Sequence, residues 1–139
     1  MDYLLLQKFL MAIGVGALIG VERERHMEGR LNFGGFRTFV LISLLGFLTA
    51  YLNKLYDLPW FFFVVFFSFV LLIVLAYFFT AREGYLGVIS ELSALICFIL
   101  GYLTLTDYSN LAIIFSVVVV IIVELDTVIH RFIRQTSQQ

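Results

Sequence analysis

The chain has 139 residues, a hydrophobic fraction of 62% and a mean hydropathy of +1.03, well above the roughly 45–50% apolar usage of soluble domains. Several runs approach the ~20 apolar residues needed to cross a bilayer, which excludes a soluble globular domain and points to a polytopic membrane protein surrounded by lipid. A net charge of −1 leaves no broad basic surface, so no nucleic-acid partner is expected.

The runs are continuously apolar and lack the inside-outside alternation of membrane barrel strands, so helices are implied. Five spans can be drawn, at about 3–21, 36–52, 59–80, 85–105 and 110–123, followed by a cytoplasmic helical tail over 124–139. The expected fold is an all-α transmembrane helix bundle forming a single domain over 1–139. The first segment, MDYLLLQKFLMAIGVGALIG, has no basic region ahead of its apolar part, and is read as a retained span, not a cleaved signal peptide.

In span one, Ala12, Gly16 and Gly20 recur every four residues, a smooth strip along which another backbone can approach closely. The span ends in Glu22, Arg23, Glu24, Arg25 and His26. If it extends by a turn, Glu22 and His26 share a face that could bind a divalent ion, but two ligands are too few to define a metal site. The chain re-enters the apolar phase through Gly34, Gly35, Phe36, Arg37 and Thr38. This corner exposes backbone N–H groups at the start of span two and suits a carboxylate or an anionic ligand. Glu22 and Glu24 end span one, where acids oppose the helix dipole and want a cation nearby. Arg37 is the expected partner there; the plain alternative is an arginine reaching lipid phosphate.

Span two carries Ser43, Gly46 and Ala50 at similar spacing. Span three, PWFFFVVFFSFVLLIVLAYFF, has bulky aromatics on every face and is expected to face lipid, or to form a subunit interface. Pro59 suits its first turn and Trp60 the interfacial aromatic belt. Span four has Gly87, Ser90, Ala94, Cys97 and Gly101; Cys97, the single cysteine, is read as a small packing residue. Span five is apolar all round and expected at the periphery. Spans one, two and four should therefore form the close-packed centre. Beyond span five, Glu124 and Asp126 stand where acids could pair with cytoplasmic arginines, ahead of His130, Arg131 and Arg134. An odd number of spans and no internal repeat argue against inverted halves within one chain, so a symmetric pathway would need a homo-oligomer, with a dimer favoured.

All of Arg23, Arg25, Arg30, Arg37, Arg82, Arg131 and Arg134 fall on one side of a five-span chain, opposite Lys8 and Lys54. By the positive-inside rule the N-terminus is outside and the C-terminus cytoplasmic. Glu91 lies about one and a half turns into span four, beside the small residues Gly87 and Ala94. A carboxylate at membrane depth costs several kcal/mol unless paired, hydrated or protonated. It reads either as a cation or proton site, with Arg37 as its controller, or as a carboxylate near the boundary reaching headgroup water. No Walker-type loop, zincin motif, cysteine-histidine cluster or serine-histidine-aspartate set is present, so neither enzymatic activity nor a cofactor other than a bound cation is expected.

GALIGVERERH followed by GGFRTFVLISLLG resembles the signature of the MgtC/SapB membrane family: a glycine-rich first helix ending in Gly-x-Glu-Arg, then Gly-Gly-hydrophobic-Arg-Thr opening the second. Gly20, Glu22, Arg23, Gly34, Gly35, Arg37 and Thr38 match that pattern. AREGYLGVISELSALICFILG is similar to a related branch in which Arg-Glu-Gly precedes a helix bearing Thr-Thr-Glu; here Ile89 and Ser90 replace the threonines and Glu91 remains. Many members carry a cytoplasmic domain or a second membrane half, so the expectation is the N-terminal transmembrane domain only. The resemblance implies a bacterial inner-membrane protein linked to magnesium limitation, acid tolerance or virulence, with regulation of other membrane proteins, ATP synthase included, proposed for some members. The combined expectation is cation (magnesium or proton) homeostasis through a polar intramembrane site of Glu91, Arg37, Glu22, Arg23 and Thr38, with Gly16, Gly20, Gly34 and Gly35 packing the helices around it. The alternative is a non-transporting regulator that binds a larger membrane protein.

Overall fold

A computed structural model of the chain describes residues 3–25, 35–82 and 89–138. They form five helices: α1 (Tyr3–Arg25), α2 (Phe36–Tyr56), α3 (Phe61–Arg82), α4 (Ile89–Leu105) and α5 (Ser109–Ser137). Four of them are long and apolar enough to cross a membrane, and α4 is a shorter apolar helix of 17 residues. All are helical for the reason read from sequence: in hydrocarbon every backbone N–H and C=O must be satisfied within its own segment.

The centre is α1, α2 and α4, brought together by glycine. A Cβ added at Gly16 would stand 2.7 Å from Cα of Val40 and 2.9 Å from Cβ of Ser43, and one at Gly20 would stand 3.0 Å from Cα of Phe36. The α2–α4 crossing is tighter and two-sided. A Cβ at Gly46 would run into the Phe98 carbonyl and lie 2.8 Å from the Tyr102 nitrogen, while one at Gly101 would run into the carbonyl of Ser43. Ser43 stands at the meeting point of all three helices: its hydroxyl donates to the Ala12 carbonyl at 2.6 Å, and it is fully buried. Cys97 also bridges this seam, its thiol donating to the Phe39 carbonyl at 3.3 Å.

These pairs set the directions. Gly16 meets Val40 and Gly20 meets Phe36, so α1 and α2 are antiparallel; Phe39 meets Cys97 and Gly46 meets Tyr102, so α2 and α4 are parallel. Around the centre, α3 docks through one edge, with Phe62, Phe66 and Phe69 against Phe98 at ring-centroid distances of 6.2, 6.1 and 5.2 Å. Most of its remaining aromatics are exposed, as expected of a lipid-facing helix. The helix α5 is exposed over most of its surface too, yet it buries Ala112, Ser116 and Val123 along one face against α1 and α4.

One boundary differs from the sequence reading. The expected end of span five at 123 with a separate tail over 124–139 is replaced by one continuous helix of 29 residues, because nothing in VELDTVIHRFIRQTS breaks helical propensity: no proline or glycine occurs. At ~1.5 Å per residue α5 is about 43 Å long, more than the ~30 Å hydrocarbon core. Residues 83–88, which hold Gly87 and the expected start of span four near 85, lie outside the described residues, as do 26–34, which hold His26, Arg30 and Gly34.

Gly46→Ala and Gly101→Ala should each lower the thermal unfolding midpoint of the detergent-solubilised protein, by a loss of about 1–3 kcal/mol or more from overpacking. Gly14, with open space around its Cβ position, is the contrast: Gly14→Ala should be neutral or stabilise by up to ~1 kcal/mol. Equal effects at all three positions would contradict the helix crossing described.

Candidate functional site

The helix directions collect Arg23 at the end of α1, Arg37 at the start of α2, Arg82 at the end of α3 and Arg131 and Arg134 at the end of α5 on one side of the bundle, the arginine end. Lys8 and Lys54 lie at the other, the lysine end. Each end has a polar arrangement built on α1 and α4.

At the arginine end, Glu22 and Glu91 are buried, with 7% and 8% exposure, and Arg23 and Asp126 are half-buried. The Arg23 guanidinium interacts electrostatically with Glu91, Asp126 and Glu22, in that order of strength. Three helices thus contribute to one charge cluster: α1 gives Glu22 and Arg23, α4 gives Glu91 and α5 gives Asp126. Local structure explains each placement. Arg23 continues the strip of Gly16 and Gly20 at i+7 and i+3, so it emerges on the packed face of α1. Glu91 is in the first turn of α4, where the positive end of the helix dipole favours a carboxylate. Even so, Oε2 of Glu91 is buried and accepts no hydrogen bond among the described residues. Asp126 follows Ser116 and Val123 on the buried face of α5, whereas Glu124 is exposed.

The structure leaves Arg37, the expected partner of Glu91, exposed on the first turn of α2, and among the described residues the guanidinium that interacts electrostatically with Glu91 is that of Arg23. Arg37 lies two residues from the buried Phe39, about 200° around the helix at ~100° per residue, so the packing of Phe39 turns Arg37 outward. Thr38 is half-buried. Gly35 is the residue at the N-terminus of α2, and the carboxylate beside it belongs to Glu24, whose Oε1 lies 3.4 Å from the position a Gly35 Cβ would take. Asp126 was legible only as an acid past span five, and the signal that brings it inward is its register with Ala112, Ser116 and Val123. Among the described residues no three His, Cys, Asp or Glu side chains converge closely enough to hold a metal ion.

At the lysine end, the Lys8 ammonium donates to the carbonyls of Leu105 and Thr106 at 3.1 and 3.3 Å. It satisfies acceptors that α4 leaves open at its C-terminus, where a cation is favoured by the dipole. The amide of Asn53 donates to the Tyr102 hydroxyl at 2.9 Å, joining α2 to α4 at the same level.

The model of the MgtC family matches residues 9–132, from the start of the α1 packing strip to beyond Asp126. The chain belongs to the MgtC family. The match takes in the whole membrane bundle, including Glu22, Arg23, Glu91 and Asp126. No curated protein and no solved structure is matched by the chain, so the charge cluster of this MgtC family member is defined by its own geometry.

Removing the guanidinium while leaving the acids buried should be severe. Arg23→Met is expected to cost about 3–5 kcal/mol of stability, read as a large fall in the unfolding midpoint in detergent. Adding Glu91→Gln to Arg23→Met should restore part of that loss, because the two effects belong to one interaction. Strict additivity of the two changes would show that Arg23 and Glu91 are not coupled.

Proposed function

We propose that this MgtC family protein takes part in proton or cation homeostasis across a bacterial inner membrane, and that the buried cluster of Glu22, Arg23, Glu91 and Asp126 is its working site. The observation that carries this reading is the balance of charge: among the described residues, three carboxylates interact with one guanidinium, and Glu91 keeps one buried oxygen without a hydrogen bond. Excess negative charge in a medium of low dielectric is relieved by a proton or by a cation. Because no three ligands converge there among the described residues, the cluster suits a transferred proton, or a magnesium ion that keeps most of its water and touches one or two carboxylates. The concentration of arginine at this end supports, by the positive-inside rule, a cytoplasmic location for it with the N-terminus outside. No step of bond-making chemistry is assigned, and Arg23 serves as the fixed counter-charge that sets how readily Glu91 is occupied. A homodimer is the assembly proposed for a pathway that a five-helix chain does not complete by internal symmetry.

A second reading rests on α5. Its final turns present Leu125, Val128, Ile129, Phe132 and Ile133, each more than half exposed, at the i, i+3, i+4, i+7, i+8 spacing of an apolar stripe. Such a stripe fits a non-transporting regulator that docks on a larger membrane protein, the cluster then serving only to lock the bundle.

Flux separates the two. In liposomes at several protein densities, proton or magnesium movement is expected from the wild type and should fall at least tenfold in Glu91→Gln, with the variant still folded by circular dichroism. Absence of flux for both ions at every density would sink the homeostasis reading. In that case Phe132→Arg, which disrupts the stripe and not the cluster, should be the change that abolishes biological activity.

A further inference from the structure

The lysine end carries two adjoining clefts that share Lys8 and Lys54 as walls. One, of about 440 Å³, is an apolar groove whose lining is leucine and tyrosine, Leu4, Leu5, Leu55 and Tyr51 among them, and whose charged lining residues are the two lysines. The other, of about 410 Å³, is polar and adds Asp57 and Asp107 to the same two lysines. The apolar groove and the polar cleft thus meet at two lysines, and the two carboxylates line the polar cleft alone. The level is that of the membrane boundary: Tyr51, Tyr56, Trp60 and Tyr108 are all exposed around these clefts, as in an interfacial aromatic belt.

We infer that this end binds a phospholipid whose headgroup carries a primary ammonium beside its phosphate. An acyl chain lies in the leucine groove, the phosphate sits between Lys8 and Lys54, and the headgroup ammonium reaches Asp57 and Asp107 in the polar cleft. The order of charges along the clefts, apolar then cationic then anionic, is the order of parts in such a lipid. A purely anionic headgroup would leave the carboxylates facing like charge, and a quaternary ammonium could give them no hydrogen bond. Lys8 retains a donor for this role, since an ammonium has three and two are used on the carbonyls of α4. The site ties the end of α4 to the membrane surface, at the opposite end of the bundle from the charge cluster, and is independent of any reading of that cluster.

The test uses the full chain in a neutral detergent, with native mass spectrometry after addition of phosphatidylethanolamine, phosphatidylcholine or phosphatidylglycerol of identical acyl chains. Retention of the ethanolamine lipid should exceed both others by about tenfold, the worth of one charge-assisted hydrogen bond. Asp57→Asn should remove most of that preference, whereas Lys54→Gln should weaken retention of all three lipids by a similar factor. Both positions are exposed, and asparagine is at home in the left-handed backbone of Asp57, whose φ is 51°, so both variants keep the fold. Lys8 is left intact because it caps α4. Water-soluble glycerophosphoethanolamine at millimolar concentration should fail to displace the lipid. Equal retention of the three lipids, a preference for phosphatidylglycerol, unchanged selectivity in Asp57→Asn, unchanged retention in Lys54→Gln, or displacement by the soluble headgroup would each overturn the assignment.

Discussion

The whole arrangement depends on how closely α2 approaches α1 and α4. Lipid is as apolar as leucine, so no hydrophobic force drives one membrane helix onto another, and association has to come from close van der Waals contact and interhelical hydrogen bonds. Gly16 and Gly20 on one side, and Gly46 and Gly101 on the other, remove the side chains that would hold these backbones apart. Ser43 then supplies a hydroxyl to the Ala12 carbonyl while its own carbonyl rests against Gly101. With three helices converging on one serine, their rotations and their relative heights are settled together.

Once those heights are set, α1 and α4 meet at both ends. From Lys8 to Arg23 is about 22 Å along α1 and from Glu91 to Leu105 about 21 Å along α4, at ~1.5 Å per residue. The antiparallel register that puts Lys8 on the last carbonyls of α4 is thus the one that puts Arg23 beside Glu91. Both contacts complement the dipole of α4, a cation at its C-terminus and a carboxylate at its N-terminus. The two ends differ in kind. Lys8 answers neutral carbonyls, whereas among the described residues Arg23 interacts with three carboxylates. Helices α3 and α5 complete the frame without closing it: α3 stacks a few rings on Phe98, and α5 adds Asp126 to the cluster before running on past the hydrocarbon thickness.

Hydropathy and periodicity in the chain determined the class of molecule, the five helices, their central trio and the segregation of arginine from lysine. Each of these follows from the composition of single segments against a ~30 Å apolar slab, and the glycine strips could be read for the same reason, since recurrence every four residues places side chains on one helix face. The match of the MgtC family model to residues 9–132 agrees with the motif that ends α1 and opens α2.

Which charges meet was decided only by the tertiary structure. Glu91 is one turn from its helix end, and both Arg23 and Arg37 stand at the same boundary, so composition and depth alone favour neither. The choice falls to Arg23 because the Gly16 and Gly20 strip turns that face of α1 into the bundle, while the burial of Phe39 turns Arg37 out. Asp126 enters the cluster because α5 continues as helix past 123 and keeps its register, and Lys8 becomes a helix cap only when α4 ends beside it. A residue's face on its own helix is a local property of sequence; its partner across a gap depends on how two helices are rotated and staggered, and here four glycines and one serine set that.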